Sequence, residues 1–237
     1  ERTFVRWHSC RLCEQDYHGV VRCALGWACW KTYVGRPEAD EIRGCAMSTL
    51  GNGLYAADHM EDASSVKEAE LSMLRRVGAP EEDMLVVQSN LAITYGELGR
   101  LDEALRMERD VYSGRLKLSG EEHEDTLLEA SNYADTLVNL ERFEEAKSLL
   151  RKTMPIARRA LGESHEVTLR MRWIYAEALY SHNRNGATFD DLREAVTSLE
   201  EIAQTARRVL GGAHPLTVDI EDELQDARDA LHTRGLP

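Results

Sequence analysis

A seven-residue block returns in this chain at a fixed interval, and no other feature restricts the fold as strongly. Leu98-Gly99-Arg100-Leu101-Asp102-Glu103-Ala104 reappears as Leu140-Glu141-Arg142-Phe143-Glu144-Glu145-Ala146, and 146 − 104 = 42. Asn90 and Ala92 return as Asn132 and Ala134 at the same offset, and Ala176 continues the series. Gly120-Glu121-Glu122-His123 returns as Gly162-Glu163-Ser164-His165, again 42 apart. Repetition on this scale means stacked supersecondary units, none of which can bury its own apolar face alone. The interval is 41 between Ala63 and Ala104 and 49 between Ala146 and Ala195. The extra residues of the long unit fall in the polar stretch 181–187, a turn between helices where insertion costs little.

Each unit reads as two helices. From Met84 to Glu97, apolar residues at Val87, Leu91, Thr94/Tyr95 and Leu98 keep the spacing of one helical face. Gly99-Arg100 makes the turn, and Leu101 to Leu118 forms the return helix. Gly120, Gly162 and Gly211 stand where a left-handed cap ends a helix. Arg158-Arg159 and Arg207-Arg208 precede two of these glycines and complement the negative end of the helix dipole. Pro155 lies inside a return helix, where it removes the hydrogen bond to Arg151. Thr217 to His232 reads as a lone final helix with a charged face (Glu221, Asp222, Asp226, Asp229), the cap a stack needs at its open end.

The motif Leu161-Gly162-Glu163-Ser164-His165-Glu166-Val167-Thr168 recurs as Leu210-Gly211-Gly212-Ala213-His214-Pro215-Leu216-Thr217. With the paired helices, it resembles the tetratricopeptide repeats of the kinesin light chain type, whose units exceed the ordinary period of about 34 residues. The resemblance implies an all-α, right-handed solenoid of helical hairpins over 38–237, about four units and a capping helix. It also implies a concave groove, lined by the first helix of each unit, that takes a peptide or protein segment. An Asn in that groove commonly holds the backbone of an extended peptide, since its amide donates and accepts at once. The resemblance places Asn90 and Asn132 there, beside Ser89 and Ser131, which are expected to be exposed. The fourth unit has Trp173-Ile174 instead, and Trp173 reads either as an apolar pocket or as core. Asp135 and Glu177, with Glu97, would line the groove with acid and favour a basic ligand; ordinary exposed helix charge is the competing reading.

The five cysteines fall between Cys10 and Cys45, a poor disulfide framework that fits a reducing compartment. Cys10-Arg11-Leu12-Cys13 presents two thiols from one tight turn, half of what tetrahedral zinc requires. With Trp7 before it and Tyr17 after it, the pair resembles the closing end of a RING-CH zinc finger. That resemblance implies Cys10 and Cys13 as zinc ligands, a truncated finger over 1–19 and further ligands upstream of Glu1. Two alternatives stay open: a self-contained site using His8, His18, Cys23 or Cys29, and two plain thiols or a redox pair. Val20, Cys23, Trp27, Trp30 and Val34 mark a buried stripe on a connecting helix within 20–37, with Cys29 pointing elsewhere. Cys45 is expected to pack in the array.

Formal net charge is −13, which argues against nucleic acid and anionic membrane surfaces as partners. No apolar run approaches the roughly 20 residues of a membrane span, and no signal peptide is evident. The chain opens with Glu1 rather than Met and reads as a fragment or processed form; the expected location is cytoplasmic. No phosphate loop, His-Glu-x-x-His pair or Gly-x-Ser-x-Gly elbow occurs. His123, His165 and His214 share one position of successive units and read as a structural position rather than a metal cluster. The expectation is a non-enzymatic interaction scaffold with no cofactor in the repeats. The alternative is a fragment of a RING-CH-type E3 ubiquitin ligase whose array recruits substrate, with an E2 enzyme as partner only if the finger is complete.

Overall fold

The computed structural model describes residues 4–10, 12–181 and 188–235. A 3-10 turn, Val5–Trp7, precedes ten helices: α1 (Gly19–Tyr33), α2 (Glu41–Ala56), α3 (Met60–Val77), α4 (Glu81–Glu97), α5 (Leu101–Ser119), α6 (Glu124–Asn139), α7 (Phe143–Ala160), α8 (Glu166–Ser181), α9 (Phe189–Val209) and α10 (Pro215–Gly235). Among the described residues, β pairing is limited to one antiparallel bridge between Ser9 and Asp16. The stretch 181–187, read as the insertion, lies outside the described residues apart from Ser181 at the end of α8.

The repeat is visible in the backbone as two kinds of left-handed turn. Within hairpins, Asp58, Gly99 and Glu141 have φ of +64°, +71° and +58°, and their spacing follows the unit length (58 + 41 = 99; 99 + 42 = 141). Between hairpins, Gly78, Gly120, Gly162 and Gly211 have φ of +66°, +84°, +98° and +92°. No atom crowds the position a Cβ would take at any of these four glycines, so backbone conformation alone demands the residue. The three left-handed caps expected at Gly120, Gly162 and Gly211 are present, with Gly78 as a fourth.

Small residues mark where helices touch. Ala63, Ala104, Ala146 and Ala195, one repeat position, are fully buried, as are Ala92, Ala134 and Ala176. Arg100 and Arg142 open their return helices with two-pronged hydrogen bonds of 2.7 Å to Glu103 and Glu145. Thr188 and Asp191 form a reciprocal capping box at the start of α9. Helix α7 continues through Pro155.

The chain divides into two compact units, residues 1–111 and 112–237. In the first, α1 packs on α2, α2 on α3 and α3 on α4. Apolar clusters join Leu50, Leu54 and Ala63, with Cys23 and Trp30 against them, and Leu71, Val87, Leu91, Tyr95 and Ala104. Helices α1 and α2 approach through glycines: a Cβ on Gly53 would lie 2.8 Å from the Arg22 carbonyl oxygen, and one on Gly26 3.0 Å from the Leu50 Cα. This approach reverses part of the expected burial on α1. Gly26 and Cys29 face inward, whereas Val20, Trp27 and Val34 are exposed. Residue type suggested the apolar stripe; the glycine contact, a tertiary event, turns the inward face toward Gly26 and Cys29 while Cys23 and Trp30 stay packed. Burial pushes the Cys29 thiol up to about 11. Cys45, expected to pack, is exposed.

In the second unit, α6, α8 and α10 form one layer in which α6 contacts α8 and α8 contacts α10, while α7 and α9 pack across it. Leu169, Leu179, Leu199, Ile202, Ile220 and Leu224 are among the buried side chains of its core. The last helix is longer than expected, and its inner stripe of Leu216, Ile220, Leu224 and Ala227 is buried.

Candidate peptide-binding face and thiol pair

On the first-helix layer of residues 112–237, the repeat brings carboxyl groups together. Asp135 on α6, Glu177 on α8 and Asp226 on α10 share a position (135 + 42 = 177; 177 + 49 = 226). Glu223 shares the position of Asn132 and Ile174 (132 + 42 = 174; 174 + 49 = 223). Glu177 is half-buried, and its carboxyl is pushed up to about 8, first by burial and then by the charges of Glu223 and Asp135. Glu223 is pushed up to about 7 by burial and by Asp226, and accepts a hydrogen bond from the Tyr180 hydroxyl. Trp173 packs against the core with part of its ring exposed, and its buried indole N–H has no acceptor. Ile174, beside it, is fully buried.

The asparagines sit deeper than the groove reading assumes. Asn132 is 4% exposed; its Nδ2 donates to Glu129 Oε2 at 3.3 Å, and its Oδ1 is buried without a donor. Ser131, expected to be exposed, is fully buried, and Ser89 is buried too. Both lie one residue before an asparagine, on the part of the helix that meets its neighbours.

Within residues 1–111, Asn90 is half-buried, and its carbonyl oxygen accepts from Lys67 Nζ at 3.1 Å and Thr94 Oγ1 at 2.9 Å. Lys67, 4% exposed, also donates to Thr94 Oγ1 at 2.7 Å and lies 4.9 Å from the Tyr55 ring centre. Its stem passes Gly51, where a Cβ would come within 3.2 Å of Lys67 Cγ. Burial lowers the Lys67 ammonium to about 8 despite the nearby Glu70, whose carboxyl burial raises to about 7. Tyr55 donates to the exposed Glu97 at 3.4 Å.

The N-terminal thiols occupy a formed turn. Cys10 N–H donates to the Gln15 carbonyl and Glu14 N–H to the Cys10 carbonyl, both at 2.8 Å, and Glu14 adopts φ of +58°. Hydrogen bonds to the Cys10 sulfur from the Cys13 and Leu12 backbone, the Cys13 side chain and Tyr17 lower the Cys10 thiol to about 7. Among the described residues, no three His, Cys, Asp or Glu side chains converge to hold a metal. The self-contained site drawing on His8, His18, Cys23 or Cys29 is therefore not assembled.

Two of the three repeated histidines have a structural task, while His214 Nδ1 is buried without a hydrogen-bond partner among the described residues. His123 Nδ1 accepts from Asp125 N–H at 3.2 Å and His165 Nδ1 from Val167 N–H at 3.3 Å, each capping the helix that follows. Near the helix ends, Arg159 pairs with Glu122 and Arg207 with Glu221, both at 2.7 Å, adding ion pairs to the dipole role. No helix among the described residues is long and apolar enough to cross a membrane.

The tetratricopeptide repeat family model matches residues 85–125 and 130–166. Those two stretches, 41 and 37 residues long, are similar to tetratricopeptide repeats. Solved structures agree on the fold. The nearly identical TPR-like repeats of a Podospora anserina protein assigned as a kinesin light chain match in two crystal structures. Their TM-scores are 0.62 and 0.60 at 20% identity, covering 79% of this chain and 84% and 85% of theirs. BtubC (BKLC) from P. vanneervenii matches with TM-score 0.55 at 16% identity, over 89% of this chain and 91% of that one. No curated protein sequence matches the chain significantly. The likeness is one of fold, and the helical hairpins are those expected from the 42-residue interval.

Proposed function

We propose that the first-helix face of residues 112–237 binds an extended basic segment of another protein, without catalysing a reaction. One observation carries this reading: Glu177 is held half-buried beside Glu223 and Asp135, and the charges acting on it are carboxylates. A half-buried Glu177 whose ionisation is opposed by neighbouring acids is relieved by a guanidinium or ammonium group. Asp135 and Glu177 would meet that charge, and Trp173 would offer ring surface beside it. Asn132 would add an amide only after releasing Glu129, so it is a weaker contact than the carboxylates. Asn90 belongs to residues 1–111 and would serve a ligand there.

Titration calorimetry with a hexa-arginine peptide and a hexa-glutamate control tests the reading. Binding of hexa-arginine that weakens about five-fold or more in Glu177→Gln and Asp135→Asn, but not in Asp219→Asn, supports it; the loss matches one charge-assisted contact of about 1–3 kcal/mol. Equal binding by all three variants would overturn it. Asn132→Ala is expected to lower the melting temperature more than the affinity.

The hydrogen-bonded turn at Cys10 and Cys13 favours a second reading for the N-terminus, namely two sulfur ligands for zinc. Backbone N–H groups directed at one sulfur stabilise a thiolate and orient it, as a structural zinc site requires. Two more ligands are needed, and the RING-CH resemblance would supply them from outside the described residues. Cobalt(II) substitution of a chain that supplies all four ligands reports it: thiolate-to-metal absorption lost in Cys10→Ser supports the assignment, and absorption that survives Cys10→Ser unchanged contradicts it.

A further inference from the structure

Helix α1 turns apolar residues outward. Val20, Val21, Ala24, Trp27 and Ala28 are exposed along it, with Lys31 on the same face, and Val34 is exposed just past its end. Exposure reaches 75% at Val20 and 44% at Trp27. The return helices do the opposite. The exposed residues of α3 from Glu61 to Arg76 are all Asp, Glu, Ser or Arg, and those of α7 from Glu144 to Lys152 are Glu, Ser, Arg or Lys. Residues 20, 24, 27, 31 and 34 follow the alternating four-and-three spacing of a seam between two helices, about 21 Å long at 1.5 Å per residue. An apolar face on a chain this charged marks a contact surface.

Charge says what can approach it. Residues 19–36 hold Arg22, Lys31 and Arg36 and no Asp or Glu, so they carry +3, while the other residues together carry −16 (−13 − 3). Two copies of so acidic a chain repel over most of their surfaces and meet most easily here. We propose that the outer face of α1 pairs with α1 of a second copy of the chain, antiparallel about a two-fold axis. In a two-fold contact one patch meets itself, so it must hold both the bulk and the space that receives it. Trp27 stands between Ala24 and Ala28, and antiparallel pairing sets each Trp27 over the alanines of the other copy. The same pairing brings Lys31, near the end of one α1, to the start of the other, where the exposed Asp16 precedes Gly19. Symmetry makes two such ion pairs. Parallel pairing would set Lys31 against Lys31 instead. A face of about 21 Å by 10 Å is well short of the roughly 800 Å² per partner of a standard interface, so the dimer is a reversible one of micromolar affinity. It forms with or without a peptide on residues 112–237.

Sedimentation velocity of the 237-residue chain from about 1 to 200 µM tests the pairing. The parent should pass from monomer to dimer within that range. Trp27→Gln should weaken the dimer about tenfold or more, as loss of a central aromatic does, with the circular dichroism spectrum unchanged. Ser72→Gln, on the exposed face of α3, should dimerise as the parent does. Lys31→Asp and Asp16→Lys should each weaken the dimer, and the two together should restore it, a readout that holds even if Trp27→Gln folds poorly. A parent that stays monomeric throughout would overturn the proposal, and Trp27-dependent binding of that monomer to phosphatidylserine vesicles would assign the face to a membrane instead. A dimer untouched by Trp27→Gln, or charge reversals that fail to rescue one another, would overturn it as well.

Discussion

Residues 1–111 and residues 112–237 are built from the same helical hairpin, yet two repeat positions carry charge differently in them. In the first unit the charge is tied down: Lys67 crosses from α3 to the Asn90 carbonyl and the Thr94 hydroxyl of α4, with its stem against Gly51. Its repeat position is Leu150 and Leu199 in the second unit (67 + 41 = 108; 108 + 42 = 150; 150 + 49 = 199), and both leucines are fully buried. In the second unit Arg115, Glu129 and Lys147 are buried, and half-buried acid stands on the first-helix row at Asp135 and Glu177, where the first unit has Ile93 (135 − 42 = 93). The fully buried alanines repeat unchanged because they set how closely helices approach. The row is free of that constraint and can differ between units. A buried polar group given donors or acceptors secures its own helices; a carboxyl such as Glu177, whose ionisation neighbouring acids oppose, is suited to a ligand.

Four substitutions sharpen this contrast, in falling order of effect. Gly53→Val attacks an approach found in the first unit, since even a Cβ would stand 2.8 Å from the Arg22 carbonyl oxygen. Overpacking of this kind costs about 1–3 kcal/mol or more, so thermal unfolding should begin in the first unit and the α1 amides should exchange fastest. Retention of the parental melting profile would show that the α1–α2 contact is loose.

Lys67→Leu places the residue of the second unit in the first. Lys67 titrates at about 8 when folded, against 10.5 ordinarily, so the folded chain sheds that proton earlier as pH rises. Parental stability therefore climbs across that window, by up to about 1.36 kcal/mol per pH unit, and the variant should lack the climb. Denaturant unfolding at pH 8 and 10 reads the difference directly; equal slopes would remove Lys67 from the account.

The smallest effect is expected at the turns. Glu141 holds φ of +58° where Gly99 holds +71°. Glu141→Gly should relieve left-handed strain at some cost in unfolded-chain entropy, a net gain of about 0.5–1 kcal/mol and roughly 1–4 °C in melting temperature. Gly99→Glu should lower it. A fall on Glu141→Gly would mean that the Glu141 side chain contributes more than its backbone costs.

These contrasts also show what could be read from residues alone. The hairpins were legible because Gly99-Arg100, the capping glycines and the alanines each act locally, through φ or through small volume, and recur at one interval. The inner face of α1 was not, because it depends on Gly26 meeting Leu50 across two helices, and tryptophans at near-helical spacing pointed the other way. Asp135, Glu177 and Trp173 are legible only through the resemblance to tetratricopeptide arrays, which assigns a groove to the first helices. Glu223 was not, since the 49-residue interval disguises its equivalence with Asn132, and α10 read only as a charged cap. The burial of Ser131 and Asn132 likewise depends on how α6 meets its neighbours.

The central claim is that the first-helix face of residues 112–237, and not its return helices, is the binding surface. Hydrogen–deuterium exchange of the intact chain with and without hexa-arginine tests it most directly. The account predicts that added protection falls on the peptide segments containing Asp135, Trp173 and Glu177, with α7 and α9 unchanged. Protection concentrated on α7 and α9, or spread evenly over every acidic surface, would contradict it.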